Sequence, residues 1–125
     1  MASGLLTGEI NKDTKFAEND HRNYNIKGEA FDVGDTFSGV NFEKGLEAVR
    51  KLKEILPKGF TLSQLALKWI LLQDGITVTI PGAINKTQVN ENANVSKMND
   101  IYSLIPQIKD VYDKHIKEDV HNKWL

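Results

Sequence analysis

The sequence predicts an α/β fold that is mostly helical, with one strand and about four helices. Three observations predict it. "ITVTI" alternates Ile76, Val78 and Ile80 with Thr77 and Thr79, all strand formers. Residues 41–75 carry two successive apolar patterns of helical period. The stretch "IPGAINKTQ" then passes from that strand through Pro81-Gly82 into a new helix start. A chain of 125 residues supports one domain with one core and is too short to argue for two.

Taken in order, residues 1–10 hold two glycines and the apolar pair Leu5-Leu6. Residues 11–40 are polar, contain Gly28, Gly34 and Gly39, and show no sustained period, which predicts a long loop. Asn41 reads as an N-cap, after which Phe42, Leu46, Val49, Leu52, Ile55 and Leu56 fall on one helical face. Glu43, Lys44, Glu47, Arg50 and Lys51 form the solvated face opposite, and Pro57 and Gly59 end the helix. In "TLSQLALKWILLQDG", Thr61 and Gln64 stand in capping-box spacing. Leu62, Leu65, Ala66, Trp69 and Ile70 are expected inside, and Gly75 closes the segment. After the strand, Asn85 and Gln88 repeat the cap-like spacing and start a helix through about Val95. The last helix runs from Ser103 to about Glu118, with Pro106 in its first turn and Leu104, Ile108, Val111, Tyr112 and His115 or Ile116 along one face.

A lone strand exposes both edges and is not stable by itself. Its neighbours are therefore expected outside this chain or from another copy of it. The strand-turn-helix corner is also the place where chemistry is expected. A strand that stops at Pro81-Gly82 and restarts as a helix leaves unpaired backbone N–H groups aimed at one spot, which suits an anion such as phosphate.

Composition narrows the function. Sixteen basic and seventeen acidic residues give a formal net charge of −1, and no dense basic stripe argues for nucleic acid. Cysteine is absent, which excludes disulfides, thiolate metal sites and cysteine nucleophiles. His21, His115 and His121 lack a ligand spacing on one helical face, so no zinc site is expected. "MASGLLTGEI" has no basic n-region, no run is long enough to span a bilayer, and the cytoplasm is the expected compartment. The sequons at Asn85 and Asn94 then read as chance matches. "SGLLTGE" lacks the Lys-Ser/Thr of a phosphate-binding P-loop.

Four stretches, in order, resemble the C-terminal part of the aldo-keto reductases, NADP(H)-dependent (β/α)8-barrel oxidoreductases. "ASGLLTGEI" is similar to the loop after the seventh barrel strand, written PLAxGLLTGK in the family, and "FAENDHR" to the mobile loop that follows. "TLSQLALKWILLQDG" is similar to the helix before the eighth strand, and "TVTIPGAINKTQVNEN" to that strand and the cofactor helix. The terminal "HNKW" fits one bacterial branch. The resemblance covers essentially the whole chain and implies the C-terminal portion of a TIM-type barrel. It divides the chain into a cofactor loop and mobile loop (1–40), two helices (41–75), and a last strand, cofactor helix and C-terminal helix (76–125). In such barrels phosphate groups bind at loops after strands seven and eight, near a helix N-terminus. The bare sequence puts an anion in the same place.

The resemblance further implies NADP (NADPH) as cofactor. Gly82 would let the backbone approach the adenosine 2′-phosphate region, while Gln88, Glu91 and Asn92 would hold the adenine and ribose end. Met1, Ala2, Gly4 and Thr7 would belong to the loop over the pyrophosphate, and Arg22 would be a cofactor clamp. Two positions depart from the family. Its lysine after "LLTG" is Glu9 here, and position 84, often basic or hydroxylated, is Ile84, leaving Lys86 as the nearest basic side chain. Each is expected to weaken cofactor binding or loosen the preference for NADP over NAD. The family's catalytic tyrosine, lysine, aspartate and histidine come from the first half of the barrel. Tyr24, Tyr102 and Tyr112 match no part of that motif, so no catalytic residue is assigned.

Plainer readings stand beside these. Trp69 among Leu and Ile reads as core, His21 and Arg22 as solvated loop residues unless the resemblance is counted, and His115 and His121 as surface. Trp124 either packs on a neighbour or frays. For the whole chain, the alternative is a truncated, non-catalytic remnant that acts as an oligomeric or protein-interaction module through uncovered barrel faces. A nucleotide-sensing partner subunit has no dedicated sequence support.

Overall fold

The computed structural model describes residues 1–123, so the reading of Trp124 falls outside the described residues. Six α-helices are described: α1 (His21–Tyr24), α2 (Phe42–Glu54), α3 (Leu62–Leu71), α4 (Lys86–Asn94), α5 (Ile105–His115) and α6 (Lys117–Val120). Short 3-10 turns at Ala2–Thr7, Val33–Asp35, Phe37–Gly39, Val95–Lys97, Tyr102–Leu104 and His121–Lys123 connect them.

The predicted starts of α2, α3 and α4 are where local chemistry places them, whereas the last helix, expected from Ser103 to about Glu118, begins at Ile105 and is divided at Ile116 into α5 and α6. Asn41 Oδ1 accepts from the N–H groups of Glu43 and Lys44. Thr61 and Gln64 close a full capping box at the start of α3. Asn85 accepts from the Gln88 N–H at 2.9 Å, but the Gln88 side chain turns back to the N–H of Ile84 rather than of Asn85. Pro106 occupies the first turn of α5, where its missing N–H has no intrahelical role.

The expected strand is absent. Among the described residues 76–80 pair with no other strand, and no sheet forms. A strand persists through its ladder, and here no second backbone edge lies alongside. The alternation that predicts a buried face is left in solvent, with Val78 68% and Ile80 94% exposed.

The core instead gathers Leu5, Phe37, Val49, Leu62, Leu65 and Ile101, so the N-terminal turn and the Phe37–Gly39 turn pack on α2 and α3. Phe42, Leu46, Leu52 and Leu56 of the predicted α2 face line it. α2 also packs against α5, whose Val111 is buried and whose Ile108 reaches the same core.

The expected inward face of α3 needs correction. Leu62 and Leu65 are buried, but Trp69 is 38% exposed and Lys68 is buried in its stead. The Lys68 ammonium donates to the Met98 carbonyl at 2.9 Å and pairs with Asp100 at 3.1 Å. Satisfying an ammonium this way permits its four-carbon stem to be covered.

Asp119 fastens α6 to the start of α2. It accepts from the Lys44 ammonium at 2.8 Å and from the Asn41 N–H at 2.9 Å, and these hold its carboxyl below the usual carboxylate range. A depressed folded value means stability present above the unfolded value and lost as pH falls through the folded one. Asp119→Asn is expected to cost about 1 kcal/mol at neutral pH. In urea titrations that difference should shrink steadily below pH of about 4, where the native carboxylate also takes up its proton. A difference constant down to pH 2 would refute the ionic role.

Candidate functional site

The sequence-predicted site residues fall into two groups, and the elements that carry them, the N-terminal turn and α4, both pack on α3. The first is built on the N-terminal turn. Ala2, Ser3 and Gly4 all have positive φ, at 48°, 52° and 92°. Left-handed backbone at non-glycine residues persists only where surroundings enforce it, and the tethers here are visible. Leu5 anchors the turn in the core, and Ser3 Oγ accepts from the Phe37 N–H at 3.1 Å. Thr7 Oγ1 donates to the Gly4 carbonyl at 2.7 Å and accepts from the Glu9 N–H at 3.2 Å.

Arg22 joins this group from α1. Its Nη1 donates to the Ser3 carbonyl at 3.2 Å, while Nε and Nη2 make a forked contact with Asp20 at 3.0 and 2.6 Å. The guanidinium carbon lies 4.4 Å from the centre of the Phe16 ring. Arg22 in turn holds the Asp20 carboxyl well below the ordinary range, through the side-chain contact and through its own N–H. The loop arginine is therefore a tie between residues 20–24 and the N-terminal turn rather than a solvated side chain.

Asn25 and Thr36, which the sequence reading did not single out, complete the loop together with His21, which is tied to Thr36 rather than solvated. Asn25 is fully buried; its Oδ1 accepts from the N–H groups of Ala30 and Phe31 at 2.9 and 3.0 Å, and its Nδ2 donates to Thr36 Oγ1 at 3.1 Å. His21 Nδ1 lies 3.0 Å from the same hydroxyl. The local signal was an Asp two residues before an Arg, an N-cap for a one-turn helix. The Asn25–Thr36 bond carried no signal, because its partners stand eleven residues apart.

The second group is the turn before α4. Gln88 Oε1 accepts from the Ile84 N–H at 2.9 Å, and the Asn92 amide reaches the Gly82 carbonyl at 3.4 Å. Gln88 and Asn92 thus shape the turn from one face of α4. A Cβ built on Gly82 meets nothing within 4 Å, so the backbone there is open to close approach. Among the described residues no protein group accepts from the N–H of Lys86 or Thr87, and both side chains are exposed, as is Ile84. The Glu91 carbonyl accepts from Gln64 at 3.3 Å, docking α4 on α3, while its carboxylate faces solvent.

Among the described residues no group of three or more His, Asp or Glu is arranged to hold a metal ion. No helix among them is long and apolar enough to cross a membrane.

Comparison with known proteins gives the wider frame. A model of the aldo/keto reductase family matches residues 1–112. The chain is 32% identical to a probable voltage-gated potassium channel subunit beta of Arabidopsis thaliana, over 98% of this chain and 34% of that protein. It is 28% identical to the L-glyceraldehyde 3-phosphate reductase of Escherichia coli K12, over 99% of this chain and 34% of that protein. No solved structure matches significantly. The chain thus spans about a third of the length of these relatives. The chain belongs to the aldo/keto reductase family, and its fold is a segment of that family's (β/α)8 barrel.

Proposed function

We infer that this chain is the cofactor-binding C-terminal part of an NADP(H)-dependent aldo/keto reductase that reduces carbonyl groups. The observation that carries the reading is the turn before α4: two open backbone N–H groups at Lys86 and Thr87, an uncrowded Gly82, and side chains of Gln88 and Asn92 already shaping the turn. A helix N-terminus of this kind, with a lysine in its first turn, attracts a phosphate. When bound, the nicotinamide dinucleotide supplies hydride. This chain's residues bind and orient it: Gly82 and Lys86 at the adenosine 2′-phosphate, Gln88, Glu91 and Asn92 at the adenine and ribose, and the Ala2, Gly4 and Thr7 turn, tied by Arg22, over the pyrophosphate. The catalytic tetrad would come from the part of the barrel beyond this third.

Calorimetric titration tests the reading. NADPH and adenosine 2′,5′-bisphosphate are expected to bind more tightly than NADH and inorganic phosphate. Lys86→Ala should weaken NADPH roughly three- to tenfold and leave NADH nearly unchanged. Binding no tighter than that of inorganic phosphate would overturn the reading.

A second reading, an oligomeric or interaction module, draws support from the apolar surface of the 76–84 stretch, where Ile80 and Ile84 are 94% and 90% exposed. Sedimentation separates the two. A concentration-dependent dimer without nucleotide affinity favours the module.

A further inference from the structure

We propose that Lys53, on the last turn of α2, is a positioning residue for the proposed cofactor loop: it clamps the loop at Gly8 and supplies the positive charge that the loop lacks. Its ammonium donates to the Gly8 carbonyl at 2.6 Å, across a separation of forty-five residues. The fit is close. A Cβ built on Gly8 would lie 2.5 Å from Lys53 Cε and 3.0 Å from Nζ, and Gly8 has a φ of 78°. A side chain at position 8 would thus displace the lysine stem as well as strain the backbone.

The charge pattern sets Lys53 apart from its helix. Lys44, Arg50 and Lys51, the other basic residues of α2, are each paired with carboxylates, whereas among the described residues Lys53 forms no ion pair. The first nine residues contain a single charged side chain, Glu9, and it is acidic. A pyrophosphate under this loop would meet one repulsive carboxylate and no cation from the loop itself. Lys53, docked one residue away from Glu9, brings an ammonium that needs no carboxylate to be released first. Its carbonyl bond also holds the far end of a turn whose near end is held by Arg22 and Ser3.

This inference rests in part on the cofactor reading above, so its test has two arms, both on the 125-residue chain. In the first, without nucleotide, hydrogen exchange is followed at the amides of Gly4, Leu6 and Gly8, which donate to Met1 and Leu5 carbonyls inside the turn. Lys53→Met keeps the stem and removes the ammonium; it is expected to speed exchange at these amides about tenfold, and Lys53→Arg to restore protection. Unchanged exchange in Lys53→Met would overturn the clamp. In the second arm, NADPH is titrated by calorimetry. Lys53→Met should weaken binding roughly five- to tenfold, with the loss shrinking at high salt, and Glu9→Gln should strengthen it. Faster exchange with unaltered NADPH affinity would overturn the electrostatic role and leave a structural clamp. If the native chain binds no NADPH, the cofactor reading fails and the electrostatic role with it, while the exchange arm still decides the clamp.

Discussion

Replacing Phe37 by alanine is expected to destabilise the chain by about 3–5 kcal/mol, the cost of emptying a buried aromatic site. Phe37 is 1% exposed, and its ring centre lies 5.0 Å from that of Phe42 and 6.3 Å from that of Phe16. It fastens the long 11–40 segment to the first turn of α2. Its backbone sits at a φ of 50°, which neither phenylalanine nor alanine favours, so truncation removes the packing and relieves none of the strain. A domain of this size has a total stability of about 5–15 kcal/mol, so the variant should be largely unfolded in moderate urea. Phe37→Leu, which retains most of the volume, should cost about half as much. Urea unfolding followed by far-ultraviolet circular dichroism measures both. A loss below 1 kcal/mol for Phe37→Ala would mean that the loop is not part of the core.

The second large effect is expected at Asn25. Asn25→Ala removes one donor and one doubly used acceptor from a fully buried position, leaving the N–H groups of Ala30 and Phe31 without their present acceptor and the hydroxyl of Thr36 with His21 alone. The expected cost is about 2–4 kcal/mol. Thr36→Val, which deletes only the hydroxyl, should cost about 1–2 kcal/mol. The damage should also be local. Protease cleavage between residues 25 and 36 should accelerate while the α2–α5 packing stays protected, because Asn25 closes that loop on itself. Cleavage distributed evenly along the chain would show instead that Asn25 supports the whole core.

Both residues mark the limit of what local pattern conveys. The capped starts of α2 and α3 follow from side chains bonding to amides two or three residues away, and Asn41, Thr61 and Gln64 announce themselves at that range. Asn25 and Phe37 lie in a stretch with no period, where burial depends on which turn folds back onto which. Arg22 was legible as a candidate clamp through the family motif alone. That it is already engaged by Asp20, the Ser3 carbonyl and the Phe16 ring required three dimensions.

By itself, the sequence determined the capped starts of α2 and α3, the apolar face of α2 and the family. These rest on contacts between near neighbours or on motifs that survive in a single stretch. Only the tertiary structure decided that Lys68 rather than Trp69 is covered, since Met98 and Asp100 meet the ammonium from thirty or more residues away. It also decided that residues 76–80 form no strand, because a strand requires a second backbone edge, and alternation within five residues cannot supply one.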